Sequence, residues 1–234
     1  MTTIRIMSAG GVKQGLRNCV EKFCGENGLA HGIQILPGPE IQALAASDSS
    51  DADLIAIPRP GFDDLIAAGK VKPEDVALLG FVTVGVTVRN GAREPDLGSV
   101  ESFVDAVLAA ERIIYNTASS GQYVAKTFEM LGLGEKIRDK IVVLPTGTAA
   151  MEAVAADISG NAIGFGHATE IRLHDSLGTH FVGPLPDAIG RQTSYAIGVL
   201  ARSSRPAEAR KMAAFMVSPA GRRIFLDTGV LQSE

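Results

Sequence analysis

Short β-type runs alternate with helical stretches along nearly the whole chain, and this alternation constrains the fold more than any other feature. Thr3–Ser8 alternates as a strand does, and the segment opened by Gly10 and Gly11 carries apolar residues at helical spacing until Gly25 and Gly28. The same strand-then-helix order recurs downstream. It predicts an α/β fold with parallel neighbouring strands and with ligands beyond the carboxyl ends of those strands.

Two unusually long β runs divide this pattern. Residues 76–88 form one run, interrupted by Gly80 and Gly85, and residues 192–201 form the other. We interpret them as the crossings into and out of a second lobe, which implies a two-stranded hinge and a ligand cleft between two α/β lobes. The predicted boundaries are residues 1–82 with 199–234 for lobe 1 and residues 83–198 for lobe 2.

Capping and turn residues bound the remaining predicted elements. Ser99, a residue type favoured at the N-cap, precedes one predicted helix, and Gly132 follows the end of another. The further strands are predicted at residues 32–36, 52–57, 112–115, 141–144 and 162–166, and the further helices at 41–46, 63–68, 100–110, 149–158, 206–217 and 219–227. One more helix is predicted to follow the turn at residues 116–121 and to reach residue 131.

The charge balance limits the partners of the chain. A formal net charge of −4 and a pI near 5.6 argue against a nucleic-acid or anionic-membrane surface, because such partners require clustered Lys and Arg. A small anion is still compatible, since backbone N–H groups and one or two side chains suffice to hold it. The expected partner is therefore a small anionic ligand, with no nucleic acid and no membrane insertion.

The amino-terminal sequence MTTIRIMS runs directly into a predicted strand, without the charged, apolar and small-residue regions of a signal peptide. As written, the sequence predicts a cytoplasmic protein. If a leader has been removed from it, the prediction becomes a periplasmic protein, with a transporter permease as a possible partner.

Cysteine and histidine residues show no metal or redox pattern. Cys19 and Cys24 lie on different faces of one predicted helix, so both are predicted to be free thiols. His31, His174 and His180 are predicted at the surface, and no spacing among the histidines is typical of a metal site. We expect no metal and no cofactor.

The carboxyl-terminal segment carries the most specific family signal. Residues 213–230, AAFMVSPAGRRIFLDTGV, combine a helix, a Ser-Pro-x-Gly turn and a final helix, and the segment Tyr195 to Leu200 precedes them. Together with the order of elements along the chain, these features resemble the molybdate-binding family of ABC-transporter solute receptors. That resemblance implies a type II periplasmic-binding-protein fold, in which hydroxyl and backbone N–H groups at helix starts grip a small oxyanion.

Several positions match the binding segments of that family. Each also has a structural interpretation, because Ser, Thr and Gly are common at helix starts whatever their function. One serine of the pair at 119–120 is expected to cap its helix and the other to face ligand. The resemblance implies ligand contacts at Ser8, Ala9, Ser119, Ser120, Gly147 and Thr148.

Two positions depart from the family pattern. Arg59 lies between Pro58 and Pro60 where the family has a short Ala-Ser-Ala-type segment, and His167 follows a strand where the family commonly has Val-Tyr-Gly. A guanidinium favours carboxylates over molybdate because it offers a planar bidentate fork. Both are predicted ligand-binding residues, with an arginine that faces solvent and a structural histidine as the alternatives.

Three functions are compatible with these residues. The first is a binding protein that closes on a small oxyanion or carboxylate. The second is a cofactor-independent isomerase of an unsaturated polycarboxylate, since aconitate isomerase is similar to this receptor family; His167 would be its catalytic residue and would move the proton. The third is the ligand-sensing domain of a regulator, which would need a partner chain to bind DNA.

Overall fold

A computed structural model describes residues 3–232 and has the α/β character that the sequence predicts. Strands and helices alternate through most of the chain. The strands are β1 (Thr3–Ser8), β2 (Ala30–Ile35), β3 (Leu54–Pro58), β4 (Val71–Arg89), β5 (Arg112–Asn116), β6 (Ile141–Leu144), β7 (Ala162–His167), β8 (Thr179–Pro184) and β9 (Gln192–Leu200). The helices are α1 (Lys13–Asn27), α2 (Gly38–Ala46), α3 (Gly61–Ala67), α4 (Val100–Ala109), α5 (Ser119–Met130), α6 (Gly134–Ile137), α7 (Gly147–Ala155), α8 (Ala168–Leu173), α9 (Pro206–Met216) and α10 (Pro219–Asp227).

The chain divides into two units, each with its own hydrophobic core. Unit 1 extends to Val82 and resumes at Thr193, and unit 2 comprises Thr83–Gln192. The chain therefore passes into unit 2 within β4 and returns at the start of β9. The return comes at Thr193, earlier than the boundary at residue 199 that the sequence predicts.

In unit 1, β1 lies between β2 and β3, and all three strands are parallel. β9 pairs with β3 in the antiparallel sense. The apolar face of α1 is buried in the core of this unit together with α9 and α10. Cys19 and Cys24 lie on this helix as free, buried thiols, which confirms the prediction for them.

In unit 2, β5 lies between β6 and β7 and is parallel to both. β4 pairs with β7 and with β8 in the antiparallel sense. The core is rich in aromatic rings: Phe165 packs edge-to-face against Phe103 and Phe128, at centroid distances of 6.1 and 5.5 Å. Ser99 caps α4 through a reciprocal capping box with Ser102, as expected from its position.

β4 continues through both Gly80 and Gly85, at which interruptions are predicted. Gly80 has φ +138°, a conformation that favours glycine. The adjacent residue, Phe81, forms a two-hydrogen-bond bridge with Leu231, each bond 2.8 Å long. Gly85 lies against the backbone of Gly183 on β8. These glycines therefore permit close approach of neighbouring chain segments instead of ending the strand.

Two helices, α6 and α8, and one strand, β8, are present in addition to the predicted elements. The two helices are too short for helical periodicity to appear, and β8 lacks a clear alternation of apolar and polar residues. The prediction that His174 lies at the surface is wrong, because the residue is only 6% exposed and its Nδ1 atom lies 2.7 Å from the carbonyl oxygen of Glu170. His31 and His180 are exposed, as predicted. Within the described range, no helix has both the length and the apolar character needed to cross a membrane.

Two glycines of α1 give a test of its packing. A Cβ at Gly15 would overlap Phe225 and Thr228 of the α10 region, whereas nothing lies within 4 Å of a Cβ at the exposed Gly25. We expect Gly15→Ala to lower the free energy of unfolding by about 1–3 kcal/mol. Gly25→Ala should raise it by about 0.5–1 kcal/mol, because alanine favours a helix interior. Urea unfolding of both variants checks this, and equal effects would contradict the packing of α1 against α10.

Candidate functional site

In unit 1, the predicted donors at the end of β1 hydrogen-bond within the protein. The Ser8 hydroxyl is fully buried and donates to the Ala9 carbonyl at 3.0 Å. The Ala9 N–H donates to the carbonyl of Ala56 on β3 at 2.8 Å. Gly10, which opens the following 3₁₀ turn, is exposed. In this stretch, therefore, the residue exposed to solvent is Gly10, one position beyond the predicted ligand contacts Ser8 and Ala9.

Tyr195 lies at the same edge of unit 1 and was not predicted as a site residue. It pairs with Pro58 across β9 and β3, and its ring is so close to Gly11 that a Cβ there would lie 2.7 Å from the Tyr195 Cζ atom. The sequence around Tyr195 is that of an apolar strand, so the sequence does not tell whether this tyrosine belongs to a binding site or to the hydrophobic core.

Arg59 follows β3. Its backbone N–H is hydrogen-bonded, and its side chain forms an ion pair. Its N–H donates to Ser194 at 2.8 Å, and its guanidinium contacts the Asp63 carboxylate at 2.7 Å. The two side chains are 40% and 69% exposed. Such an exposed ion pair is worth at most about 1 kcal/mol, so a ligand carboxylate can compete with Asp63 for this arginine.

In unit 2, the start of α5 is organised by the buried side chain of Asn116. Its Oδ1 accepts from the N–H of Ala118, the N-cap residue, at 2.9 Å. Its amide group donates to the Ser120 hydroxyl at 3.3 Å, and Ser120 is buried. Ser119 is exposed at the first helical position. The expectation that one serine caps the helix by its side chain is therefore wrong, and Ser119 is the member of the pair that faces solvent.

At the start of α7, Thr146 is the capping residue. Its hydroxyl accepts from the N–H of Ala149 at 3.1 Å. The Thr148 hydroxyl donates to the Glu170 carboxylate at 3.4 Å. A Cβ at Gly147 would lie 2.8 Å from the Glu170 Cγ atom, so this carboxylate side chain packs directly on Gly147. Glu170 was not predicted, because it lies in the short helix α8.

The starts of α5 and α7 lie side by side. They follow β5 and β6, which are adjacent parallel strands and therefore end at the same edge of the sheet. Thr117 joins the two loops: its N–H donates to Leu144 at 2.9 Å and its hydroxyl to Pro145 at 3.2 Å. β7 is parallel to β5 and ends at this edge as well, with His167 as its last residue.

His167 is partly buried and uncharged at neutral pH. Its pKa is lowered from 6.5 to about 4, mainly by burial and also by the Arg191 charge, while the Glu170 charge opposes the shift. An ordinary histidine has a pKa close to neutrality, which suits proton transfer, and the lowered pKa of His167 departs from that value. Within residues 3–232, no group of three or more His, Cys, Asp or Glu residues is arranged to hold a metal.

Arg191 supplies a cationic side chain in unit 2 that the sequence analysis did not identify. Its guanidinium lies over the ring of Tyr123, 5.5 Å from the centroid. The Tyr123 hydroxyl donates to the carbonyl of Ile189 at 2.9 Å, which fixes the ring beneath the arginine. Arg191 lies outside the predicted strands and helices, so the hydrophobic periodicity of the sequence gives no reason to choose it as a site residue.

The low pKa of His167 predicts a specific pH dependence of stability. As the pH falls below about 6.5, the unfolded chain takes up a proton at His167 that the folded chain does not accept until about 4. Wild type should therefore lose stability relative to His167→Gln across this window, and the difference should level off below it. Urea unfolding at several pH values measures this difference; a constant difference would contradict the assigned pKa.

Comparisons with known proteins agree with this architecture. Residues 4–231 match the family model for bacterial extracellular solute-binding proteins. The chain is 25% identical over 237 aligned residues to an aconitate isomerase from a Pseudomonas species, covering 98% of this chain and 88% of that protein.

Two solved structures illustrate the likeness of fold. The substrate-binding domain of a putative molybdenum ABC transporter from Clostridium difficile has a TM-score of 0.78 at 17% identity, with all of both chains covered. The periplasmic molybdate-binding protein of Azotobacter vinelandii has a TM-score of 0.74 at 15% identity, covering 99% of this chain and 100% of that chain. The fold is thus that of the type II periplasmic binding proteins, and the chain belongs to the bacterial extracellular solute-binding protein family.

Proposed function

We propose that this chain is a solute receptor that binds a small anion with the donors at the carboxyl ends of its parallel strands. The observation that carries the proposal is the pair of helix starts in unit 2, held side by side by Thr117 with the exposed Ser119 at one of them. Membership in the solute-binding family supports it. A partner permease of an ABC transporter follows from the same proposal.

The physical basis is the set of backbone N–H groups at the first turn of a helix. These groups have no partner within the helix, and the helix dipole makes the potential there positive. α5 extends over 12 residues, so its full dipole is available to an anion at Ser119. A receptor built in this way needs no bound metal or cofactor.

A carboxylate is the favoured class of anion. Arg59 and Arg191 are both partly or largely exposed at strand ends, and a guanidinium matches the two oxygens of a carboxylate. The similarity to an aconitate isomerase supports the same class, whereas the similarity to molybdate receptors supports tetrahedral oxyanions. The two classes are separated by direct binding measurements.

A ligand panel tests the proposal. Molybdate, sulfate, citrate, and cis- and trans-aconitate are added to the purified protein, and the melting temperature and heat of binding are recorded. We expect carboxylates to raise the melting temperature. Ser119→Ala should weaken binding by about 10- to 150-fold, because one hydrogen bond to a charged group is worth about 1.5–3 kcal/mol.

Ser99→Ala is the matched control for that variant. Ser99 caps α4 through Ser102 and is not among the candidate site residues. Its loss should lower stability by about 0.5–2 kcal/mol and leave the affinity for the anion unchanged. No binding by any anion of the panel, or equal loss of affinity in both variants, would refute the proposed receptor site.

A second candidate function is isomerisation of an unsaturated polycarboxylate. The observation that favours it is the similarity to aconitate isomerase, which extends over 98% of the chain. His167 is uncharged at neutral pH and is therefore able to accept a proton, and a bound polyanion would raise its pKa towards neutrality. The charge that develops on the deprotonated substrate would be stabilised by the same N–H donors.

The absorbance of cis- and trans-aconitate over time distinguishes the two functions. An isomerase brings either isomer to the same equilibrium mixture, and His167→Gln should slow this by at least about 100-fold. If wild type binds aconitate without changing its absorbance, the receptor function stands and the isomerase is excluded for this substrate.

A further inference from the structure

We propose that Asn90 is a modification site: its side-chain amide is converted to a carboxylate through attack by the Gly91 backbone nitrogen, giving aspartate and isoaspartate after the end of β4. The sequence Asn-Gly occurs twice in the chain, at residues 90–91 and 27–28. The structure favours the reaction at the first of them and opposes it at the second. This inference does not depend on the proposed anion binding.

The reaction is intramolecular and consumes only water. The Gly91 nitrogen forms a bond to the Asn90 Cγ atom and loses its proton to solvent, and the Cγ–Nδ2 bond breaks with release of ammonia. The product is a five-membered cyclic imide. Water then opens the imide at one of its two carbonyl groups: cleavage of the bond from the nitrogen to Cγ leaves aspartate, and cleavage of the bond to the backbone carbonyl carbon leaves isoaspartate. Glycine favours ring closure because it has no Cβ that hinders the attack.

At residues 90–91, both reacting groups are unrestrained. Asn90 and Gly91 lie in an exposed turn directly after β4. Among residues 3–232, the Asn90 side chain forms no hydrogen bond and the Gly91 N–H has no acceptor. Gly91 has φ +78°, and a Cβ built there would have no atom within 4 Å. The attacking nitrogen and the side-chain carbonyl carbon are therefore free to approach each other.

At residues 27–28, hydrogen bonds hold both reacting groups. Asn27 is the last residue of α1, and Gly28 is its C-cap. The Asn27 Nδ2 atom donates to the Phe23 carbonyl at 2.8 Å, and the Gly28 N–H donates to the Cys24 carbonyl. Gly28 otherwise matches the glycine of the exposed turn, since it too is exposed, with φ +63° and open space around it. Reaction at Asn27 therefore requires local opening of the helix end first.

The two products differ in their effect on the end of β4. Both add one negative charge. The Asn90 N–H donates to the carbonyl of Gly178, just before β8, at 2.8 Å. Aspartate keeps this main chain, whereas isoaspartate lengthens it by one methylene group and disturbs the turn that follows. Val84 of the same strand pairs with His167, so Asn90 lies about 20 Å along β4 from that candidate site residue.

Peptide mass spectrometry measures the reaction at each asparagine. The purified protein is incubated at mildly alkaline pH and then digested with pepsin at low pH, which prevents further reaction. We expect Asn90 to lose ammonia at least about 10-fold faster than Asn27, because reaction at Asn27 first requires the loss of two hydrogen bonds. The rate at Asn90 should rise with pH, since the attacking nitrogen must lose its proton. Asn90→Gln, which would have to close a larger ring, should leave this segment unmodified over the same period.

Unfolding in urea is the matched control, because both asparagines are followed by glycine and neither is then held by hydrogen bonds. The two rates should become comparable, mainly through acceleration at Asn27. If Asn27 reacts as fast as Asn90 in the folded protein, or if Asn90 reacts only after unfolding, the inference is wrong. A difference that persists unchanged in urea would also contradict it, because local sequence and not the fold would then be its cause.

Discussion

The parallel pairing of β5 with β6 and β7 decides where the candidate groups of unit 2 lie. Because parallel strands end at one edge of a sheet, the segments that follow these three strands come together without any long loop. Thr117 then joins two of those segments by hydrogen bonds to Leu144 and Pro145. The same principle brings Ser8 and Pro58 to one edge of unit 1 through β1 and β3.

Side chains at helix starts determine whether a helix start is available to a ligand. At α5, the side chain of Asn116, the last residue of β5, accepts a hydrogen bond from the N–H of the N-cap residue Ala118. Ser119 is left exposed. At α7, Thr146 is the cap and Glu170 covers Gly147. Two segments with similar Ser, Thr and Gly composition therefore present different surfaces, one with an exposed serine and the other covered by a glutamate side chain.

The sequence was sufficient for the order of most elements but not for the contacts at the site. Strands such as β1 and helices such as α10 have clear periodicity and capping residues, so their bounds agree with prediction. Ser119 and Ser120 have equal propensities, and only the contact of Ser120 with Asn116 separates them. Glu170 lies in a helix too short to show periodicity, and it meets Gly147 through the fold rather than through sequence proximity.

The two cysteines of α1 have a consequence for chemical labelling. Burial raises the pKa of Cys19 to about 12 and also raises the pKa of Cys24. The thiolate is the reactive species, and a raised pKa leaves very little of it at neutral pH. Both thiols should therefore react slowly with maleimides in the folded protein. A cysteine introduced at an exposed position could then carry a fluorophore selectively, without removing the native pair.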